Sequence, residues 1–456
     1  MAASSDGDRR RIRIIDAFRT QLWPVPAIGV LIALIAGVGL PKLEDALREW
    51  LPDTVANYLF GGGPAEAREL LSAIASSLIT VTSLTFSLTV VTLQLASGQY
   101  SPRLLRTFAR DRFVQFTLAL FLSTFVYALT VLRSVRDASA VADLFVPKIS
   151  VTLAFVLAVV SVVGLVLFLA HLVREIRVET MMHTVSTDAK ISAKAVFAER
   201  DSAPPEPPPP SPPWASTICA ASSGFLVAVD EAALLSAAVD ADAVVRVHRP
   251  AGDWLVRGTP IASAWHSGSD DALDGDALDT LRRRVANAVH TGEERTPVQD
   301  AGYGLRQLTD VAVRALSPGI NDPTTAVHAL GYSSSLLCEF ATRRLGDKVL
   351  TDDDGAPRVV LNRPGLAELL DLAVSQPRRY GADDPAVLSR LFILLRELAW
   401  CAQDAEQKQA IDDQLARLRR TVSQQDFDHY ELESLTRLGD AVEAAPRGDW
   451  PPDRAP

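Results

Sequence analysis

Cysteine is nearly missing from this chain. Cys219, Cys338 and Cys401 are scattered over 456 residues in no paired motif, which excludes a disulfide framework and a cysteine zinc site and fits thiols kept reduced. An excess of positive charge is missing as well. Lys and Arg number 45 against 55 Asp and Glu, giving a net charge of −10 and a pI near 5.3, which argues against nucleic acid as a partner. The seven histidines do not cluster. There is no Walker loop, nucleophile elbow or HExxH helix, and Gly61-Gly-Gly-Pro64 lacks the Lys and Ser/Thr of a phosphate loop. These absences point to no catalytic residue, no metal and no cofactor.

Charge is also absent from four long runs, about Leu22–Leu40, Leu70–Ala96, Phe113–Leu132 and Ile149–Val173. Each is long enough to cross roughly 30 Å of hydrocarbon as a helix. No cleavage site follows the first run, which reads as a retained span. Arginines cluster in the N-terminal tail (Arg9, Arg10, Arg11, Arg13, Arg19) and after the second run (Arg103, Arg106, Arg110, Arg112). The loop of residues 41–69 carries Lys42, Arg48 and Arg68 against six acids. This asymmetry predicts four transmembrane helices with both termini in the cytoplasm. Trp23, Trp50 and Tyr58 suit the interface. Gly98 and Pro102 are expected to break the second helix, and the basic segment up to Arg112 suits a membrane-surface anchor or a gating coupler.

The second run differs from the others. Ser76, Thr80, Ser83, Ser87 and Gln94 fall on one stripe at 100° per residue, and Thr82, Thr85, Thr89 and Thr92 on nearly the opposite one. Either one stripe lines a conduction path and the other packs, or both are packing surfaces, since small hydroxyl residues permit close helix contact in lipid. Four helices give little room to enclose such a helix, so a homo-oligomer is expected. No span contains a buried acid or base, which lowers the case for a proton- or ion-coupled transporter.

Beyond the membrane the chain divides into a charged helix at 174–202, a proline-rich spacer at 203–215, a strand-rich module at 216–268, a mostly helical region at 269–442 and a disordered tail at 443–456. Residues 1–21 form the basic tail and 22–173 the membrane domain. The expected class is a membrane α-helical protein with a cytoplasmic α+β domain. Gly224–Val229, Ala243–His248 and the segment Arg249–Ala262 read as strands with glycine turns, Asp230–Ala241 as a helix. The module resembles small biotinyl–lipoyl barrels but lacks their lysine. Asp322-Pro323 and Asp384-Pro385 mark helix starts. Asp352-Asp-Asp-Gly355 lacks calcium-loop spacing and reads as a turn.

The densest polar cluster spans Glu294 to Pro323. One reading makes Arg295, Arg306, Asp310, Arg314, Asn321 and Asp322 a site for a small anionic ligand. The other makes them an intrahelical salt-bridge ladder and a capped corner.

Thr82-Ser-Leu-Thr-Phe-Ser-Leu-Thr-Val-Val-Thr-Leu-Gln94 followed by Ser97-Gly-Gln-Tyr-Ser-Pro-Arg103 resembles the signature of the bacterial membrane family called domain of unknown function 2254. Arg295-Thr296, Gln299-Asp300, Gly304–Gln307, Arg314–Pro318, Asn321–Pro323 and Arg379–Pro385 resemble it too, over roughly residues 15 to 430. The resemblance implies a multi-pass protein of the bacterial inner membrane and no particular activity. Three functions follow: an oligomeric pore for ions lined by the Ser76–Gln94 stripe, a non-conducting scaffold or sensor binding a small anion or protein, and, weakest, a membrane-anchored enzyme. Membrane lipids are partners under all three.

Overall fold

The computed structural model describes residues 23–46, 59–99, 111–136, 145–175, 177–200, 208–268 and 273–450. The basic tail, Arg103, Arg106, Arg110, Trp50, Tyr58, Pro102 and the start of the proline spacer lie outside them. The chain divides into two compact units, residues 1–177 and 178–456.

In the first unit, four helices are long and apolar enough to cross a membrane: α1 (Pro24–Ala46), α2 (Pro64–Gln99), α3 (Arg112–Leu132) and α4 (Lys148–Glu175). Helix α3 is the hub. Its membrane window is 56% buried against 28% for α1 and α2 and 17% for α4, because the other three pack on it. Close approach comes from small residues: a Cβ on Gly37 of α1 would lie 2.7 Å from Thr130 Cβ of α3. Thr117, Thr124 and Thr130 of α3 donate to carbonyls one turn back, at 2.7–2.8 Å, which makes hydroxyls tolerable in an apolar bundle.

Two boundaries differ from expectation. Helix α1 continues through Pro41, and α2 continues through Gly98. The extension of α1 overturns the expectation that no buried acid would be found in the membrane helices. Glu44, 9% exposed, accepts from Ile149 N at 2.8 Å, Ser150 N at 3.2 Å and Ser150 Oγ at 3.2 Å. It thereby serves the orphan amides that open α4. Near the other end of α4, His171 Nε2 meets Asp111 at 2.5 Å, and Asp111 caps α3 through Phe113 N at 2.8 Å.

The second unit begins with α5 (Val178–Val196). The charged helix expected over 174–202 is therefore not continuous: α4 ends at Glu175, and α5 belongs to this unit and ends at Val196. Arg363 donates to Val196 O at its last turn, and Arg200 pairs with Asp404. Next come β1 (Ser216–Cys219), β2 (Gly224–Val229), α6 (Glu231–Asp240), β3 (Ala243–Val247), β4 (Trp254–Leu255) and β5 (Pro260–His266). Instead of a closed barrel over 216–268, these strands enter two open sheets completed from the region expected to be mostly helical. After α7 (Gly275–Ala288), β6 (Val289–Gly292) gives the order β4-β2-β6. Later β7 (Lys348–Thr351) and β8 (Pro357–Leu361) give β1-β5-β3-β8-β7. Among the described strands only the β3–β8 pair is parallel. Central β3 is buried at Ala243, Val244, Val245 and Val247, as an apolar run covered on both faces must be. Leu226, Val245, Ile261, Leu281, Val285 and Val359 share one core. The acidic turn joins β7 to β8, with Asp352 accepting from Arg358 Nε at 2.7 Å.

The remainder is helical: α8 (Tyr303–Ala315), α9 (Pro323–Ala341), α10 (Leu366–Tyr380), α11 (Pro385–Cys401), α12 (Ala405–Ser423) and α13 (His429–Ala444). Both Asp–Pro starts behave as expected. Asp322 accepts from Thr325 N at 3.1 Å, and Asp384 from Ala386 N at 2.9 Å. Of the tail expected to be disordered, residues 443–450 are instead ordered: α13 runs to Ala444, and the Trp450 ring lies 3.6 Å from the buried Arg396 guanidinium and edge-on to Trp400, while 451–456 lie outside the described residues.

Helices α5 and α8 cross where Gly304 meets Ala189; a Cβ at Gly304 would overlap the Ala189 side chain. Gly304→Ala is expected to cost about 1–3 kcal/mol, read as a lower thermal midpoint in detergent. Gly319→Ala, which meets open space, serves as the control that stays near wild type.

Candidate functional site

The two stripes of α2 have opposite fates. Thr82, Thr85, Thr89 and Thr92 are buried, at 8%, 0%, 8% and 5% exposure. Ser76, Thr80, Ser83, Ser87 and Gln94 are all exposed. The threonines pack inside the four-helix unit, while the serine stripe faces out of it. On the exposed stripe Thr80 Oγ1 donates to Ser76 O at 3.0 Å and Ser83 Oγ to Ile79 O at 2.9 Å. Inside, Thr82, Thr89 and Thr92 do the same at 2.6–2.8 Å, whereas the buried Thr85 hydroxyl has no partner.

In the second unit the polar cluster forms a joint between sheet and helices. Arg295 follows β6 and grips Asp300 with Nε at 2.7 Å and a terminal nitrogen at 2.6 Å, both on Oδ2. Their side chains are 19% and 3% exposed. The turn before β4 presses on this pair. Gly252 has φ of 98°, and a Cβ there would overlap Asp300 and lie 2.7 Å from Arg295, so glycine is demanded by conformation and space together. Beside it, Gln299 completes a strand edge. Its Oε1 accepts from Val229 N at 2.8 Å and its Nε2 donates to Val229 O at 3.0 Å, at the end of β2 that β4 does not reach. Burial pushes the Asp300 carboxyl up to about 6, against the opposing pull of Arg295 and the Gly302 amide.

A cleft of about 560 Å³ opens at this joint. Arg295 and Arg306 line it, so the structure brings together two of the six expected ligand residues. Asp310 and Arg314 lie further along α8 and do not line it. Asn321 and Asp322 lie past the far end of a 13-residue helix, about 20 Å away at 1.5 Å per residue. Asn321 takes φ of 49° in the turn. Asp322 caps α9, and hydrogen bonds from the Thr325 hydroxyl and amide hold its carboxyl below the usual carboxylate range. The opposite wall comes from residues not singled out from sequence: Glu368 and Asp371 of α10, and Asp413, Gln414 and Arg417 of α12. Their signal was present in α12, where Asp413, Gln414 and Arg417 fall at i, i+1 and i+4, polar groups on one side of the helix.

Four apolar helices followed by an attached unit of strands and helices define a multi-pass membrane protein with a substantial second region. The chain belongs to the family described as "Predicted membrane protein (DUF2254)", which matches residues 19–397. Uncharacterized proteins of Mycobacterium bovis and Mycobacterium tuberculosis are each 35% identical to it over 457 residues, an alignment covering 98% of this chain and 84% of the relative. No solved structure matches.

The raised Asp300 carboxyl makes stability pH-dependent with a defined sign. The folded state holds the proton more tightly than the unfolded chain, whose ordinary value is 3.8. The stability gained from protonated Asp300 is complete below that value and is lost as pH rises to about 6. Asp300→Asn cannot titrate. The stability of wild type relative to this variant is therefore expected to fall by on the order of 3 kcal/mol across that window, read by unfolding in detergent at stepped pH. A constant difference would exclude the assignment.

Proposed function

We propose that this protein is an oligomeric pore of the bacterial inner membrane, lined by Ser76, Thr80, Ser83, Ser87 and Gln94 of α2, with both termini and the second unit in the cytoplasm, the latter as a regulatory domain. One observation carries the reading: the hydroxyl stripe faces out of the four-helix unit while the threonine stripe is buried inside it. Facing lipid, these hydroxyls gain nothing. Facing a lumen shared by several copies, they replace part of an ion's hydration shell without a titratable relay. The cleft at Arg295 supports a second reading, a non-conducting sensor whose second unit binds a ligand.

Recording from purified protein in planar bilayers separates the two. The pore reading expects current that Ser83→Leu and Ser87→Leu abolish with assembly unchanged. Silence of the wild type under voltage, tension and ligand would sink it. Thr85→Val serves as the packing-face control. It removes a buried hydroxyl without a partner, so conduction should persist and the thermal midpoint should rise, by about 1–3 kcal/mol in stability.

A further inference from the structure

The charges lining the cleft argue against the anion site expected from the sequence. Arg295 is held by Asp300 and Arg417 by Asp371, the latter at 3.0 Å. Arg306 also has a partner. The groups left without an answering charge are acids. Among the described residues Glu368 accepts only the Gly365 amide at 3.0 Å and Asp413 only the Gln409 amide nitrogen at 3.0 Å, and neither is in an ion pair. Gln414, next to Asp413 on α12 and also lining the cleft, is 5% exposed. Its Nε2 donates to Asp371 Oδ1 at 3.0 Å, which fixes the amide orientation, and its Oε1 is buried with no hydrogen-bond partner. A buried acceptor left unmade costs about 1–3 kcal/mol, so something that donates belongs there.

The geometry points to a binding site for a small primary-amine cation in this cleft, its ammonium donating to Glu368, Asp413 and Gln414 Oε1. The class follows from counting donors. A primary ammonium carries three N–H groups and no acceptor, which matches three acceptors, two of them anionic. The cleft, at about 560 Å³, has room for an alkyl chain along Leu369, Leu372 and Ala410, which also line it. A quaternary ammonium has the charge without the donors, and phosphate carries the opposite charge. The assignment does not depend on conduction: a protein silent in bilayers that still binds the amine would fail as a pore and keep this site.

The test is calorimetric titration of the full-length protein in detergent with 1,4-diaminobutane, tetramethylammonium and inorganic phosphate. Saturable binding of the diamine alone is expected, weakened about tenfold or more by Asp413→Asn and by Gln414→Met. Asp413 is exposed and in no ion pair, so its variant is expected to fold as wild type does, with the thermal midpoint as the check. Diamine affinity unchanged in both variants would overturn the site. Equal binding of tetramethylammonium would overturn the donor argument, and binding of phosphate in place of the diamine would return the cleft to an anion site.

Discussion

The second unit turns on the grip of Arg295 on Asp300. The pair is deep enough that ionising Asp300 is costly, and an isolated arginine or aspartate there would be worse placed than either is in water. It is tolerated because three segments need it at once. The turn before β4 rests on it through Gly252, the chain leaving β6 bends around it, and α8 begins at Tyr303, directly after Gly302, whose amide meets the Asp300 carboxylate. Gln299, one residue before, ties the same stretch to β2 with a two-way amide bond that imitates a strand partner. The stretch from Arg295 to Asp300 is therefore a joint that sets sheet against helix, and a cleft lies where the joint leaves an open wall.

This explains which parts could be read from the chain. The membrane helices were legible because 20-residue apolar runs have few other uses, and the Asp–Pro starts because capping is local. The break between α4 and α5 was hidden: no glycine or proline interrupts residues 174–178, and the charged pattern reads on through it. Short strands were hidden for a related reason. Val289-His-Thr-Gly292 follows α7 without a turn signal, and β8 draws its burial from β3, more than a hundred residues earlier. The cleft needed tertiary structure altogether. Arg295 and Asp300 sit at an i, i+5 spacing that no helix brings together, and the acids facing them come from α10 and α12.

Glu44 shows the same limit inside the membrane unit. Counting apolar residues ends the first span at Leu40, because Pro41 looks like a stop. Burial of a carboxylate that serves two backbone amides and one hydroxyl of α4 makes the extra turn worthwhile. The acid caps the first turn of α4.

The four-helix unit is unevenly finished. Helix α4 exposes valine, leucine and phenylalanine over most of its surface, and lipid satisfies such a face fully. Helix α2 exposes alternating character, with Ile79, Leu84 and Phe86 beside the serine stripe. Lipid suits the apolar residues but offers nothing to the hydroxyls beyond what their own carbonyls give them. A fold indifferent to that stripe would fill it with leucine, as it does on α4, at no cost in helix propensity. The threonines are accounted for by packing on α3; the serines are left with no role inside one chain, and that asymmetry is the physical ground for looking to further copies of it.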